Sequence, residues 1–196
     1  MTGPTIIVPY RNRQEHLQVF IPAMRAYLPE ADIIVVEQAD SKPFNRGKLI
    51  NVGYLETKPD YFVAHDIDMV PLEVDYSPEP IVQLACNDIQ KVDYLGGVTL
   101  FSKESFEKLG GYHNDYFHRA EDNELAFNAR RLSLPIVLCP GIFDQLPHER
   151  SKREFIPYLW MKAQQRRKIQ NQMGICKYNL VSREQKEGYT LLKVEL

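Results

Sequence analysis

Along the first third of this chain, short dense runs of apolar residues alternate with longer stretches in which apolar positions recur every three or four residues. Residues 5–10 read T-I-I-V-P-Y, too short for a helix and β-branched enough for a strand covered on both faces. Residues 14–28 then place Leu17, Phe20, Ile21, Met24 and Leu28 at helical spacing, with Pro22 predicting a kink or a break into two pieces. The pattern repeats with a second buried strand, D-I-I-V-V-E at 32–37, and a polar loop at 38–43. Leu49, Ile50, Val52 and Leu55 share one broad helical face within 44–56, and a third apolar strand follows at 61–65. Strand, helix, strand, helix, strand at this spacing predicts right-handed crossovers and a parallel sheet.

The second half is less regular. It suggests a strand at 94–101, a short helix at 103–109, a Gly110-Gly111 turn, a helix from Glu121 to about Leu132, and one more strand at 136–138. Residues 177–181 and 189–195 pair on paper as an antiparallel ribbon around Gly188. No internal repeat, low-complexity tract or linker interrupts the chain. The expectation is a single α/β domain over residues 1–196, with a mostly parallel central sheet flanked by helices and a small antiparallel ribbon.

Composition adds exclusions. A chain of 196 residues with 44% hydrophobic content can bury one full core. Its formal charge of -2 leaves no large basic field to hold a nucleic-acid backbone, so nucleic acid is not an expected partner. Cys86, Cys139 and Cys176 are widely separated and form no C-x-x-C pair, which reads as buried free thiols. No stretch reaches the roughly 20 apolar residues of a membrane span, and the first residues read as a strand rather than a signal peptide, so the expected compartment is the cytoplasm.

The chemistry gathers where strands end. Asp66-Ile67-Asp68 closes the third strand, and side chains two apart on an extended segment would point both carboxylates at one ion. Acids at a strand end also occur as a plain solvated turn; the weight comes from Arg11 and Arg13 after the first strand and Arg46 with Lys48 after the second. In open α/β sheets the ligand crevice lies beyond the carboxyl ends of the strands, so these cations would meet phosphates there. A divalent cation between the two acids and a diphosphate would reverse their mutual repulsion.

Glu121-Asp122-Asn123-Glu124 opens a later helix, where the helix dipole alone would favour acids. It also follows the Gly-Gly turn and an aromatic, mobile-looking stretch at 112–119, so it would face a gated pocket, with Asp122 the candidate general base. His148, in Q-L-P-H-E-R, reads either as a satisfied polar residue or as a metal ligand, since Asp with imidazole suits manganese. His65 should turn to the opposite side of its strand from Asp66, as packing or as support behind the site residues. Bases interleaved with aromatics at 149–168 read as a solvated helix, with contact to an anionic membrane surface or a charged acceptor as the rival reading.

Taken together and in order, V-P-Y-R-N-R (8–13), F-N-R-G-K-L-I-N-V-G (44–53), H-D-I-D-M-V-P (65–71), Y-L-G-G-V-T-L-F-S-K (94–103) and E-D-N-E (121–124) resemble the beta-1,4-galactosyltransferase family, which has the GT-A fold. The resemblance implies an inverting, metal-dependent transfer of a sugar from a UDP-sugar donor to a carbohydrate acceptor. It implies that Pro9, Arg11 and Arg13 contact the diphosphate, that Phe44 and Arg46 hold the uridine, and that Asp66 sits beside the nucleotide. Asp68 and His148 would bind Mn2+, Asp122 would act as base, and Glu121 would lie near the donor sugar. Tyr94 matches the family position where tyrosine accompanies galactose and smaller residues admit the N-acetylated sugar. Three positions depart from the family pattern: Phe117-His118-Arg119-Ala120 stand where it has a tryptophan-and-glycine loop, Asn123 replaces an acid, and Gln145 replaces a sulfur ligand. Transfer of another UDP-sugar such as N-acetylgalactosamine, a metal-dependent nucleotidyltransferase or phosphohydrolase, and a silent glycan- or nucleotide-binding module are the alternatives.

Overall fold

A computed structural model describes residues 3–85, 94–116, 120–147 and 169–196. Its centre is β1 (Thr5–Tyr10), all six residues buried, flanked by the parallel strands β2 (Asp32–Gln38) and β3 (Tyr61–His65). Alternation along these strands splits the core into two layers. Ile7, Ile34 and Val36 face α2 (Arg46–Thr57), α3 (Lys103–Leu109) and α4 (Glu121–Arg131), whereas Ile6, Val8, Ile33 and Val35 face α1 (Gln14–Tyr27). Each such side chain, fully removed from water, contributes about 1.5–3 kcal/mol, so the two layers dominate the favourable side of folding.

Pro22 does not break α1, which runs as one helix. The ring lies on the exposed side, where water can take the carbonyl it leaves unbonded, while Phe20, Ile21 and Met24 bury the other face.

The main sheet has eight strands in the order β7-β5-β6-β3-β1-β2-β10-β9, and it is mixed. β5 (Ile81–Ala85) and β6 (Val98–Ser102) pair antiparallel, β6 runs antiparallel to β3, and the short β7 (Val137–Leu138) lies parallel to β5. β4 (Met69–Glu73) and β8 (Ile142–Gln145) form a separate antiparallel pair. The terminal strands β9 (Asn179–Lys186) and β10 (Tyr189–Glu195) do pair around Gly188, but as part of the main sheet, because β10 docks parallel to β2.

Three strands have no counterpart in the pattern-based reading. β4 carries Pro71, and β8 is short and largely exposed. β5 carries the polar Gln83, whose amide donates to Ala85 O (2.6 Å) and Gly96 O (2.8 Å) and accepts from the Thr99 hydroxyl (2.9 Å). The strand expected from residue 94 starts at Val98, because Tyr94 to Gly97 leave the ladder and lie against Asp122 and Arg46. Cys139 and Cys176 are free thiols but only half-buried. Among the described residues no helix is long and apolar enough to cross a membrane.

Candidate active site

The carboxyl ends of β1, β2 and β3 lie side by side at one edge of the sheet. At the end of β1, Pro9 is buried, and Arg11 donates to Lys42 O (2.5 Å) with its guanidinium 5.4 Å from the centre of the Phe44 ring. Arg13 is half-buried just before α1. The loop after β2 is wrapped around Gln38, whose amide donates to Asp40, Lys42 O and Pro43 O and accepts from the Asn45 N–H. Asn45 caps α2 by accepting from the Lys48 N–H (2.9 Å). The loop therefore delivers Phe44 and Arg46 from a fixed base.

Arg46 is the centre of the site. Its Nε donates to Asp66 Oδ1 (2.6 Å), its NH1 to Asp122 Oδ1 (3.0 Å) and its NH2 to Gly97 O (3.3 Å), and its guanidinium lies 5.8 Å from the Tyr112 ring centre. Burial works against this charge, but Asp66 and then Asp122 outweigh it and hold the guanidinium protonated. One planar cation thus joins the turn after β3 to the start of α4, a task for which the arginine fork is suited.

Asp66 and Asp68 do not lie on an extended segment. They flank a turn in which Ile67 is buried in the core and the Met69 N–H donates to Asp66 O (3.2 Å). The bond from Met69 to Asp66 closes that turn, so the shared-face geometry expected of a strand does not apply. Asp68 is nearly buried, and its carbonyl accepts from the Leu146 N–H (2.8 Å) at the end of β8. Gln145 stands opposite Met69. The Pro147 carbonyl lies 3.2 Å from His16 Nε2. His148 and the basic aromatic run at 149–168 lie outside the described residues, as do Cys86 and residues 117–119.

Asp122 is buried at the first turn of α4, and its proton affinity is raised well above that of an ordinary carboxyl by burial first and by Glu121 second. Arg46 and a hydrogen bond from Tyr94 pull the other way. Tyr94 in turn is held protonated, chiefly by the charge of Asp122 and then by burial. Glu121, one residue earlier, looks elsewhere: it lines a polar pocket with Glu124, Asn128, His113 and Gln172. Neighbours on a helix are about 100° apart, which separates the two carboxylates while leaving them within electrostatic reach.

The stretch expected to be a mobile gate is, over residues 112–116, part of the interior. Tyr112, His113, Asn114 and Tyr116 are buried. Asn51 on α2 donates to Tyr112 O (2.7 Å) and Asn114 Oδ1 (3.0 Å) and accepts from the Tyr112 N–H. Asn114 also donates to Gln172 O (2.7 Å). Buried amides with satisfied partners rigidify a segment, which is why aromatic composition misled here.

The N-terminal region of glycosyl transferase group 7 matches residues 2–77. Beta-1,4-galactosyltransferase 4 of Homo sapiens is 32% identical over 217 residues, taking in 97% of this chain and 62% of the human protein. The chain belongs to the beta-1,4-galactosyltransferase family. It spans about three fifths of the length of that human relative, at 62%. Within the family it is also similar to beta-1,4-galactosyltransferase 1 of Bos taurus, at 33% identity over 76% of this chain and 42% of that one. A third relative is the beta-N-acetyl-D-glucosaminide beta-1,4-N-acetylglucosaminyl-transferase of Lymnaea stagnalis, at 32% identity over 73% and 34%. The fold is similar to the catalytic domain of Drosophila beta-1,4-galactosyltransferase 7 in complex with xylobiose, with a TM-score of 0.85, 24% identity, and coverage of 98% of this chain and 93% of that one. A mutant of the Drosophila enzyme was solved with manganese, UDP-Gal and xylobiose.

In this family member several site residues escaped the motif reading. A Cβ on Gly96 would overlap the Tyr94 ring and come within 2.6 Å of Asp122 Oδ2, so only glycine lets Tyr94 and Asp122 meet. Tyr112 walls the guanidinium and donates its hydroxyl to Leu95 O (3.2 Å). The Y-L-G-G motif was the signal for Gly96; Tyr112 had none, because its contacts come from three separate elements.

Proposed function

We propose that this beta-1,4-galactosyltransferase family member transfers galactose from UDP-galactose to a hydroxyl of a carbohydrate acceptor, with inversion and with Mn2+ as the metal. The observation that carries the reading is Asp122: a buried carboxylate with raised proton affinity, tied through one guanidinium to the turn that bears the D-x-D acids.

The residues present suit a hard divalent cation. Asp68 is a nearly buried carboxylate with its backbone fixed by β8, and Gln145 adds an amide oxygen nearby in register. Asp68, with His148 as second ligand, would hold the ion. When bound, the metal neutralises charge that develops on the departing diphosphate. The Drosophila relative solved with manganese and UDP-Gal supports the same choice of ion and donor.

The chain's own residues supply the rest. Arg11 and Phe44 form a cationic and aromatic wall suited to a nucleotide, with Pro9 and Arg13 beside it. Asp122 takes the proton of the acceptor hydroxyl as that oxygen bonds to the anomeric carbon. The bond from that carbon to the UDP oxygen breaks, UDP leaves with its electron pair, and the proton stays on Asp122. Burial and the neighbouring Glu121 raise the proton affinity of Asp122 while Arg46 opposes the rise, so the carboxylate is a stronger base than an ordinary aspartate.

A second reading, transfer of an N-acetylhexosamine, is favoured by the Lymnaea relative's named activity. Tyr94 argues for galactose, because it stands at the family position where tyrosine accompanies galactose, with its ring packed beside Gly96 and Asp122. A panel of UDP-sugars with Mn2+ and mixed acceptors, read by mass spectrometry, tests both. Transfer of intact hexose from UDP-galactose is expected, with Tyr94→Leu shifting preference toward UDP-N-acetylgalactosamine. Dominant use of an N-acetylated donor by the parent protein would reject the galactose claim, and release of pyrophosphate would reject the transferase.

A further inference from the structure

His65 is a fully buried histidine that the proposed reaction does not use, and it sits immediately before Asp66. It packs edge-on against Phe20 of α1 (5.1 Å between ring centres) and Phe143 of β8 (6.0 Å), and stacks on Tyr76 (6.2 Å). A phenylalanine would satisfy that packing equally well, so apolar burial does not explain an imidazole here.

Its two nitrogens do. Nδ1 lies 3.0 Å from the Asp66 carbonyl and Nε2 lies 3.0 Å from the Tyr76 hydroxyl. A carbonyl only accepts, so Nδ1 carries the proton, and in a neutral ring Nε2 must then accept from the tyrosine O–H. Burial pushes the His65 pKa down to about 4, in keeping with a neutral ring. Near Tyr76 the chain is pinned in turn: the Tyr27 hydroxyl on α1 donates to Val74 O (2.9 Å) and accepts from the Val74 N–H (2.7 Å). A relay thus runs from α1 through the segment after β4 to a single carbonyl.

That carbonyl belongs to the D-x-D turn. Asp66 O also accepts from the Met69 N–H, while the Asp66 N–H is fixed on Gly97 O (3.0 Å). With Ile67 buried and Asp68 O held by Leu146, the orientation of the Asp66 peptide sets where both carboxylates project.

We infer that His65 is a positioning residue, whose Nδ1–H holds the Asp66 carbonyl and thereby the turn that presents Asp66 to Arg46 and Asp68 to the metal, with Tyr76 selecting the ring tautomer. The inference rests on the proposed function only for its ligand readout; the backbone readout is independent of it.

Three variants test it. His65→Phe keeps the ring and removes both hydrogen bonds. His65→Asn puts an amide N–H where Nδ1–H stands. Tyr76→Phe deletes one hydroxyl. Amide hydrogen exchange resolves Met69 from the strand amides of β3 and β6, and calorimetry follows UDP binding with Mn2+. His65→Phe should speed exchange at Met69 about fivefold to tenfold and weaken metal-dependent UDP binding by a similar factor, the worth of about one hydrogen bond. His65→Asn should restore both to near the parent, and Tyr76→Phe should fall between. Unchanged exchange at Met69 in His65→Phe, acceleration spread equally over β3 and β6, or an asparagine variant as impaired as phenylalanine would each overturn the role. If His65→Phe does not fold, Tyr76→Phe decides, since parent-like exchange at Met69 there overturns the relay. Should the parent itself bind no UDP with Mn2+, the transferase reading falls while exchange still decides the role of His65.

Discussion

The candidate site has two walls built in different ways. The wall formed by β1, β2, β3 and their helices comes from consecutive strand-helix units, each placing its cation or acid at a strand end by chain order alone. The opposite wall, around Tyr94, Gly96, Tyr112 and Asp122, is assembled from segments far apart in sequence and held by buried polar contacts. Local order fixes the proposed nucleotide-binding surface; long-range polar contacts fix the proposed base. If that division is right, substitutions on the first wall should act on binding and those on the second on turnover.

The largest contrast lies between two aspartates. Asp122→Asn should lower transfer about a thousandfold while leaving Mn2+-dependent UDP affinity within about threefold, since it removes only proton acceptance. Asp68→Asn should instead abolish that binding; equal loss of binding in both variants would erase the distinction between the walls.

Arg46 touches both walls, so Arg46→Lys should damage both functions, with a loss of about tenfold to a hundredfold in kcat/KM because one ammonium cannot span two carboxylates. Arg46 also opposes the rise in Asp122 proton affinity caused by burial and Glu121. Weakening it raises that affinity further, so the acid limb of the kcat/KM profile should move to higher pH. A limb that stays in place would show that Arg46 does not tune the base.

Stability offers two smaller probes. Burial lowers the His65 pKa from 6.5 to about 4, so the fold holds the ring neutral while the unfolded chain protonates it. The sign follows: stability tied to His65 is complete above about pH 6.5 and is lost as pH falls toward 4. The melting-temperature gap between the parent and His65→Asn should therefore narrow over that window. The smallest effect concerns Ala120, which enters α4 at φ +77. Relief of left-handed strain by Ala120→Gly should stabilise the protein by about 1 kcal/mol or less, measured by denaturant midpoint, because glycine's extra freedom when unfolded offsets part of the gain.

How legible each wall was follows the same division. β1, β3 and α3 coincide with the segments expected from periodicity, because each is set by its own run of apolar residues. β5 was missed because Gln83 breaks the apolar run, and only its bonds to Gly96, Ala85 and Thr99 make it a buried strand residue. Asp122 and Arg46 were both legible as site residues through the motifs, yet nothing in either motif says that they meet. The segment at 112–116 looked mobile by composition and proved pinned, because the Asn51 amide and the Gln172 carbonyl that hold it lie about sixty residues away on either side.

By itself the sequence determined the α/β unit, the family, and which acids and cations gather at the strand ends, since these depend on local periodicity and on motifs read in order. Only the tertiary structure decided that Asp66 and Asp68 sit on a turn, that Arg46 bridges Asp66 to Asp122, and that His65 is tied to the Asp66 carbonyl. The reason is physical: a hydrogen bond or ion pair is set by distance and angle between atoms, and those are fixed only once separate segments have packed.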